Sequence, residues 1–419
     1  MVSGLKNQNR SKALIHNLWT RRALTLLCLS LLAVSSYGER SAPRGLALYA
    51  ATDQVLTEYA VDEDRATLSK GASLTLPGAI QYAWPHPSRN ILYVAWSNPQ
   101  SRSYGVSTVQ IGTGGLKQIG TALIAARPIH TTVDRLGSHL LVVYNNPSTL
   151  TVHPILADGT VGKQIDQHGS FDFGVYAHQV RVEPSGKAVI LVTRGNGPSG
   201  NRPEDPGALR VFRYDNGLLE SLSVTAPARG INFQPRHLDF HPVKPWVYVS
   251  LERQNRLQVY ELKSDGSLEP EPLFVKNSLA VSAQAAGQAA GTVHIHPSGR
   301  FLYQANRASD THQENGKSVF SGGQNNIAVY SINAATGEPV LIQNADTRGF
   351  SPRTFALDPG GRLLVAANQT PMLVSERGIL RQVPASLAVF RIKQDGTLTF
   401  VRTVETAPGL FYAGIVAWH

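Results

Sequence analysis

Basic side chains stand at the start of several apolar, strand-like stretches, where a regular repeat would place another apolar residue. They are His178 in Tyr-Ala-His-Gln-Val, Arg236 and His237 in Gln-Pro-Arg-His-Leu, His294 in Gly-Thr-Val-His-Ile-His, and Arg353 in Ser-Pro-Arg-Thr-Phe. Clustered arginines attract a carboxylate or phosphate and can bind either with two parallel hydrogen bonds. A neighbouring histidine can move a proton. The pattern therefore indicates a site for a small anion with acid–base chemistry.

Two further charged residues stand at the far end of such stretches: Glu252 follows Val-Ser-Leu, and Arg307 follows Gln-Ala-Asn. Glu252 adds a possible general base, and Arg307 adds another guanidinium for an anion. No metal or other cofactor is predicted. His294 and His296 share a strand face but lack a third ligand, and phosphate-loop, Gly-x-Ser-x-Gly, His-Glu-x-x-His and Cys-x-x-Cys motifs are absent from the sequence.

These residues can meet only if the fold brings distant segments together, and internal repeats predict such a fold. One repeated unit is an alternating strand, a short Gly/Asp/Asn turn and a second strand; Asp-Gly and Asn-Gly supply the positive φ of a tight hairpin. Its seven copies are Val55–Lys70, Gly105–Gly120, Leu150–Ile165, Leu209–Leu222, Leu257–Pro272, Ile327–Ile342 and Leu387–Arg402.

A second unit, a turn followed by an apolar inner strand, lies between those copies. It is clearest as His-Pro-Ser-Gly-Arg-Phe-Leu-Tyr from His296, and its six copies start at His86, Asp134, Glu183, His241, His296 and Asp358. Four strands in each such repeat are typical of a propeller blade. The missing seventh inner unit is predicted to form when Phe411–Trp418 pairs with Leu46–Ala51. We therefore predict an all-β, seven-bladed propeller closed by its two terminal strands, rather than a β-sandwich.

Four stretches depart from the repeat and are predicted to be loops on a rim, where function often resides. They cover residues 195–206, 281–291, 308–325 and 370–386.

The first 38 residues have the pattern of an export signal. Five basic residues, including Arg21 and Arg22, precede the apolar run Ala23–Val34, and no acidic residue is present. The twin arginines favour the route for folded proteins, with the general route as the alternative. Removing residues 1–38 would lower the net charge from +10 to +5 and would remove the single cysteine, Cys28. We therefore expect one periplasmic or secreted domain, 39–419, that binds neither nucleic acid nor, after cleavage, a membrane.

The motifs resemble the seven-bladed propeller lactonase family, which includes propeller-type 6-phosphogluconolactonases and fungal carboxymuconate cyclases. The resemblance runs from about Leu46 to His419 and rests on the repeat, on Pro235–Pro242, on Val293–Tyr303 and on Asn306-Arg307. It implies catalytic roles for His178, Arg236, Glu252 and Arg307, and substrate-binding roles for His237, His294 and Arg353. The chain departs from the family at Val192–Gly195, where an acidic Asp-Leu-Gly stretch is common, and after Arg307, where the loop is longer.

The leading hypothesis is an exported hydrolase of a small sugar-derived or acidic lactone. His178 or Glu252 would activate water, while Arg236 and Arg307 would hold an anionic substituent or the oxyanion. A muconate-type lactonising cyclase or isomerase acting on a diacid, and a non-catalytic binding propeller, are the alternatives. A six-bladed gluconolactonase is disfavoured because no clustered carboxylates are present for its calcium. The sequence leaves the oligomeric state open.

Overall fold

A computed structural model of the protein describes residues 45–280 and 287–418, which form a ring of seven β-sheets, the blades of a propeller. We number the blades from Ala79, so that blade 7 contains both ends of the described chain. The innermost strands of blades 1 to 7 are β4 (Ala79–Pro85), β8 (Pro128–Val133), β11 (Ala177–Val182), β15 (Pro235–Phe240), β19 (Ala289–Ile295), β25 (Phe350–Leu357) and β31 (Leu410–Trp418).

The remaining strands of each blade follow outward. The second strands are β5 (Ile91–Asn98), β9 (His139–Asn145), β12 (Ala188–Thr193), β16 (Trp246–Leu251), β20 (Phe301–Arg307), β26 (Leu363–Thr370) and β1 (Gly45–Thr52). The third strands are β6 (Ser103–Gln110), β10 (Ser148–Pro154), β13 (Ala208–Asp215), β17 (Arg256–Glu261), β23 (Asn326–Ile332), β29 (Ser386–Ile392) and β2 (Val55–Asp62). The outermost strands are β7 (Lys117–Leu123), β14 (Leu218–Thr225), β18 (Phe274–Asn277), β24 (Pro339–Asp346), β30 (Leu398–Glu405) and β3 (Thr67–Thr75).

Pairing of the terminal strands closes the ring, as predicted. β31 runs antiparallel to β1 from the pair Gly45–Trp418 to the pair Thr52–Leu410, and it also contacts β4 of blade 1. The predicted seven-bladed, all-β fold is confirmed. Closure covers the inner edge of β1, so the backbone groups along that edge are satisfied by hydrogen bonds to β31.

Two of the seven predicted hairpins were wrong in their outer half. In blade 2 the segment after β10 contributes only an isolated bridge between Ile155 and Val161, and the described sheet has three strands. In blade 4 the outermost strand is β18, and the stretch before it, with Pro270 and Pro272, forms no strand. Proline has no N–H to donate to the ladder, which explains why pairing is delayed.

The core consists of apolar layers between neighbouring blades, and polar contacts at the turns fasten the same blades together. His86, His241 and His296 each donate from Nε2 to a glycine carbonyl in the next blade, at 3.1, 3.1 and 2.9 Å. The accepting glycine in blade 6, Gly361, has φ +67°, and an added Cβ would lie 2.3 Å from the His296 ring. His241 and His296 thus lie in the turns that begin their repeat units and act there as structural residues.

The departures from the repeat lie on one face of the ring, which we call the mouth face; innermost strands start there and second strands end there. Residues 195–206 connect β12 to β13, residues 308–325 contain the hairpin β21 (Thr311–Glu314)–β22 (Lys317–Phe320), and residues 370–386 contain β27 (Met372–Glu376)–β28 (Ile379–Val383). Of 281–291, residues 281–286 lie outside the described residues and 289 onward belong to β19.

The predicted export segment, residues 1–38, also lies outside the described residues, as does Cys28. The single described helix is the short 3₁₀ turn Pro227–Gly230. Among the described residues no helix has the length and apolar character of a membrane span.

Removing residues 411–419 should therefore open the ring. The deletion exposes the edge of β1 and the apolar faces beside it, and the loss should approach the whole margin of a typical domain, about 5–15 kcal/mol. We expect insoluble or protease-sensitive protein, measured by soluble yield, limited proteolysis and thermal melting. The control, removal of residues 1–38, should leave melting unchanged; a soluble C-terminal truncation with full-length melting would contradict the role of closure.

Candidate active site

Each innermost strand contains a β-bulge near the mouth face, seen as a shift in its pairing register with the second strand. A bulge places two residues opposite one and re-aims a side chain. The bulges bring consecutive side chains from all seven blades around one small cavity on the channel axis. Its lining residues are Gln81, Tyr82, Ile129, His178, Arg236, His237, Thr292, Arg353, Thr354 and Phe411.

Three of the predicted basic residues, His178, Arg236 and Arg353, are the extra residues of their bulges and share one level of the channel. Each stands six residues before the proline of the following turn. The same count in blade 5 gives Gly291, within the bulge between Ala290 and Val293.

His294 therefore does not lie at the level of the other three, contrary to the expectation of comparable positions. It occupies the position that Asp239 has in blade 4, two residues before the turn histidine, and its Nδ1 lies 3.5 Å from an Asp239 carboxylate oxygen. Arg181 of blade 3 donates to the other oxygen of Asp239 at 2.8 Å. His294 lines a separate cavity of about 260 Å³ with Tyr82 and Tyr412.

Three arginines from three blades hold the Glu252 carboxylate. Arg194 donates to Oε2 at 2.9 Å, Arg236 donates to Oε1 at 2.9 Å, and Arg307 also donates to Oε1. Arg194, Glu252 and Arg307 occupy corresponding places in their blades. Each stands ten residues after the proline of its blade's turn, at or just past the end of the second strand. Arg194 additionally stacks on Tyr176, 4.0 Å from the ring centroid.

This environment makes Glu252 an anchor rather than a base. Burial raises its pKa, but the charges of Arg236, Arg307 and Arg194 outweigh burial and lower the pKa to about 2. A carboxylate that holds its charge so firmly is a poor proton acceptor near neutral pH. Of the two bases considered from the sequence, the contacts favour His178.

The arginine cluster consists of Arg194, Arg236, Arg307 and Arg353. Arg353 makes it strongly positive, because it adds a guanidinium without adding a carboxylate. Its side chain stacks on Phe411 at 4.2 Å and forms no ion pair with any described residue. Burial, followed by Arg307, lowers the pKa of Arg353 to about 10. The Nε of Arg236 is also buried and has no hydrogen-bond partner within the described chain. An anion at this place would satisfy both groups.

Three histidines around the cavity are buried with few partners. His178, His237 and His130 have buried ring nitrogens without a hydrogen bond to another described residue, and their rings form a series with centroid separations of 5.2 and 6.2 Å. Burial, reinforced by the nearby arginines, lowers the pKa of each well below its ordinary value. All three are therefore neutral at pH 7, and a neutral imidazole can accept a proton.

Sequence reasoning missed Arg194 and His130 as members of the site. Arg194 could have been found because it stands ten residues after its turn proline, as Glu252 and Arg307 do. His130 follows a bulge residue that is apolar, Ile129, so no charged neighbour marked the position. Within the described part of the chain, no group of three His, Cys, Asp or Glu side chains is arranged to hold a metal ion.

The family model for "Lactonase, 7-bladed beta-propeller" matches residues 46–375, which is most of the chain and includes every residue of the arginine cluster. The chain belongs to this family. The expectation from the sequence motifs is thereby confirmed at the level of the family.

Curated relatives of this lactonase-family chain include two enzymes named 6-phosphogluconolactonase. That of Bacillus subtilis is 26% identical over 353 residues, covering 79% of this chain and 90% of the relative. That of Formosa agariphila is 30% identical over 305 residues, covering 67% and 77%. Among solved structures, a Pseudomonas aeruginosa periplasmic gluconolactonase superposes with a TM-score of 0.67 at 21% identity, covering 89% of this chain and 99% of that one. This last likeness concerns the fold.

Glu252→Gln should destabilise the protein strongly, because three buried guanidiniums would lose their shared countercharge. Removing one partner of a buried pair costs about 3–5 kcal/mol, and urea denaturation would measure the loss. Glu269→Gln is the matched control. Its exposed pair with Lys263, at 2.9 Å, should contribute under about 1 kcal/mol. Equal stability of the two variants would contradict the anchoring role.

The buried neutral histidines predict lower stability in mild acid. At pH values between the ordinary histidine pKa and the lowered pKa values of the folded state, the unfolded chain binds protons that the folded chain cannot. The free energy of unfolding is therefore full above about pH 6.5 and falls as the pH decreases. Each histidine should contribute up to about 1.4 kcal/mol per pH unit. His130→Phe should reduce the slope of unfolding free energy between pH 7 and 5 by about one such contribution. The exposed control His168→Phe should not change it.

Proposed function

We propose that this protein is a lactonase that hydrolyses a small sugar-derived or acidic lactone at the mouth-face end of the channel. The observation that carries the proposal is the buried excess of positive charge: Arg194, Arg236, Arg307 and Arg353 surround a single carboxylate, Glu252. Membership of the lactonase family and the names of the curated relatives support the same activity. Excess buried charge is costly unless an anion binds or forms there.

The side chains can be assigned to the steps of ester hydrolysis. The cavity beside His178 and Arg236, about 10 Å³ in volume, is the size for a single water molecule. Neutral His178 would take a proton from that water as its oxygen attacks the lactone carbonyl carbon. The Nε–H of Arg236 would donate to the oxyanion. When the ring C–O bond breaks, protonated His178 returns the proton to the leaving oxygen, giving a hydroxy acid.

Arg353 is proposed to select the anionic part of the substrate. Its guanidinium has no carboxylate partner in the described chain, so it is free to bind a phosphate or carboxylate bidentately. Glu252 would act by holding Arg236 and Arg307 in place for the same charge. The product of hydrolysis is itself a carboxylate. Aldonic acids should therefore bind to the same arginines and inhibit the reaction.

Replacing the base should abolish most turnover. We expect His178→Gln to lower kcat for 6-phosphogluconolactone by about 100-fold or more, while the exposed control His168→Gln retains activity. Because the pKa of His178 is lowered, the acid limb of the wild-type kcat/KM profile should lie below pH 6.5. Stopped-flow detection of the released proton would measure both the kcat of the variant and the pH profile of the wild type. Unchanged turnover by His178→Gln would exclude it as the base.

Arg353→Gln tests the selection of anions. We expect about a tenfold or larger fall in kcat/KM for 6-phosphogluconolactone, equivalent to a lost charged contact, and a smaller fall for uncharged glucono-δ-lactone. Arg135→Gln, in an exposed turn on the opposite face, is the matched control. Equal falls for both lactones would contradict a role in selection. Product analysis with a muconate separates hydrolysis from the cyclase alternative, since that reaction forms the ring.

Export is proposed from residues 1–38, whose basic start and apolar run are typical of a secretory signal. The chain is expected in the periplasm or outside the cell. Fractionation of a tagged chain would test this. Arg21→Lys with Arg22→Lys should retain the protein in the cytoplasm if the twin-arginine route is used, and should leave export intact if the general route is used.

A further inference from the structure

A third cavity opens on the mouth face between the two inserted hairpins and blades 5 and 6, and we call it the hairpin groove. Its volume is about 680 Å³, and its lining includes Phe320, Asn325, Asp346, Phe350, Glu376 and Arg381. The hairpins touch each other, with Ser375 Oγ donating to Glu314 at 3.1 Å. A groove of this size accommodates a ligand of several hundred daltons.

The chemistry of the hairpin groove is mixed and electrically balanced. Phe320 and Phe350 form an edge-to-face pair with centroids 4.6 Å apart. Glu376 accepts a hydrogen bond from Arg381 at 2.8 Å, and Asp346 lies 3.7 Å from Arg348. Each anion thus has a cation beside it, which gives neither a free anion nor a free cation a net attraction. Aromatic faces with alternating donors and acceptors match a sugar, whose C–H face is apolar and whose hydroxyls both donate and accept.

Asn325 gives the groove a fixed, unused donor. Its Oδ1 accepts from the backbone N–H of Ala308 and of Ser351, at 3.0 and 2.9 Å, which sets the orientation of the amide. Its Nδ2 is buried and has no hydrogen-bond partner among the described residues, and the side chain, 9% exposed, lines the groove. A buried amide without an acceptor is unfavourable, so a ligand hydroxyl there would stabilise it.

The same asparagine links the groove to the arginine cluster. Ala308 follows Arg307, the residue that donates to Glu252, and Ser351 stands two residues before Arg353. The floor of the hairpin groove and the channel are therefore built on the same two backbone segments. A molecule long enough to fill both would extend across one face of the ring, from blades 5 and 6 toward the axis.

We propose that the hairpin groove binds a neutral saccharide chain, and that a lactone formed at the reducing end of an oligosaccharide is one of the substrates. The second part rests on the proposed lactonase function; the first does not. The saccharide would stack on Phe320. Its hydroxyls would donate hydrogen bonds to Glu376 and Asp346 and accept hydrogen bonds from Asn325 and Arg381. Such a lactone must be supplied by a reaction that oxidises the C1 hydroxyl of the terminal sugar.

Calorimetric titration of the full chain with cellotriose and maltotriose tests the groove without using catalysis. Loss of the aromatic platform in Phe320→Ala should weaken binding about tenfold or more, the effect of removing an interface aromatic. Arg381→Gln should weaken it about fivefold. Two control changes on the β27–β28 hairpin that contains Arg381, Ile379→Ala and Arg377→Gln, lie outside the groove lining. Their binding constants should stay within about twofold of the parent value.

The outcomes separate the groove from the channel. Failure of both trisaccharides to bind the parent chain, or binding that Phe320→Ala leaves unchanged, would overturn the proposal. Binding that survives Arg236→Ala supports a groove distinct from the channel. The lactone of cellotrionic acid should be hydrolysed with about tenfold higher kcat/KM than glucono-δ-lactone, a preference that Phe320→Ala removes. Saccharide binding with no hydrolysis of either lactone would sustain the groove and refute the lactonase function.

Discussion

A regular antiparallel strand sends alternate side chains to opposite faces of its sheet, and in this ring those faces pack against the neighbouring blades. The seven bulges change that geometry at a single depth, because each inserts an extra residue and turns it inward. His178, Arg236 and Arg353 reach the channel as these extra residues. The small cavity, the histidine series and the unpaired guanidinium all depend on this shared irregularity, and regular strands would disperse them.

Charge provides the second level of organisation. Glu252 binds arginines that belong to blades 3, 4 and 5, and it therefore joins three blades at their mouth-face ends while turn histidines join neighbouring blades elsewhere. The cluster remains positive after this pairing, which is expensive in a buried place. A purely structural network would have gained stability from a second carboxylate. Its absence from the described cluster is what makes anion chemistry the natural interpretation.

The sequence predicted the fold well because propeller blades are local units. Alternation and Asp-Gly turns lie within one hairpin, and the terminal strands were recognisable because each lacked a neighbour. The outer strand of blade 4 was misplaced because two prolines delay pairing to Phe274. The site was harder to predict from the sequence than the fold. His178, Arg236 and Arg353 keep a constant spacing to the next turn, but His294 does not, and the bulge in its strand falls on Gly291. Arg194 acquires its role only from Glu252, a residue of the next blade.

Closure by β31 and β1 has a consequence for the order in which the chain becomes structured during synthesis. Of the described strands, β1 to β3 leave the ribosome first, yet their innermost partner, β31, is formed by residues 410–418. At bacterial-type elongation rates of about 5–20 residues per second, these strands wait on the order of tens of seconds for β31. During that interval blade 7 has an open edge and cannot complete the ring. The first strands made are thus the last to be secured, and a nascent chain is exposed to mispairing for nearly the whole of its translation.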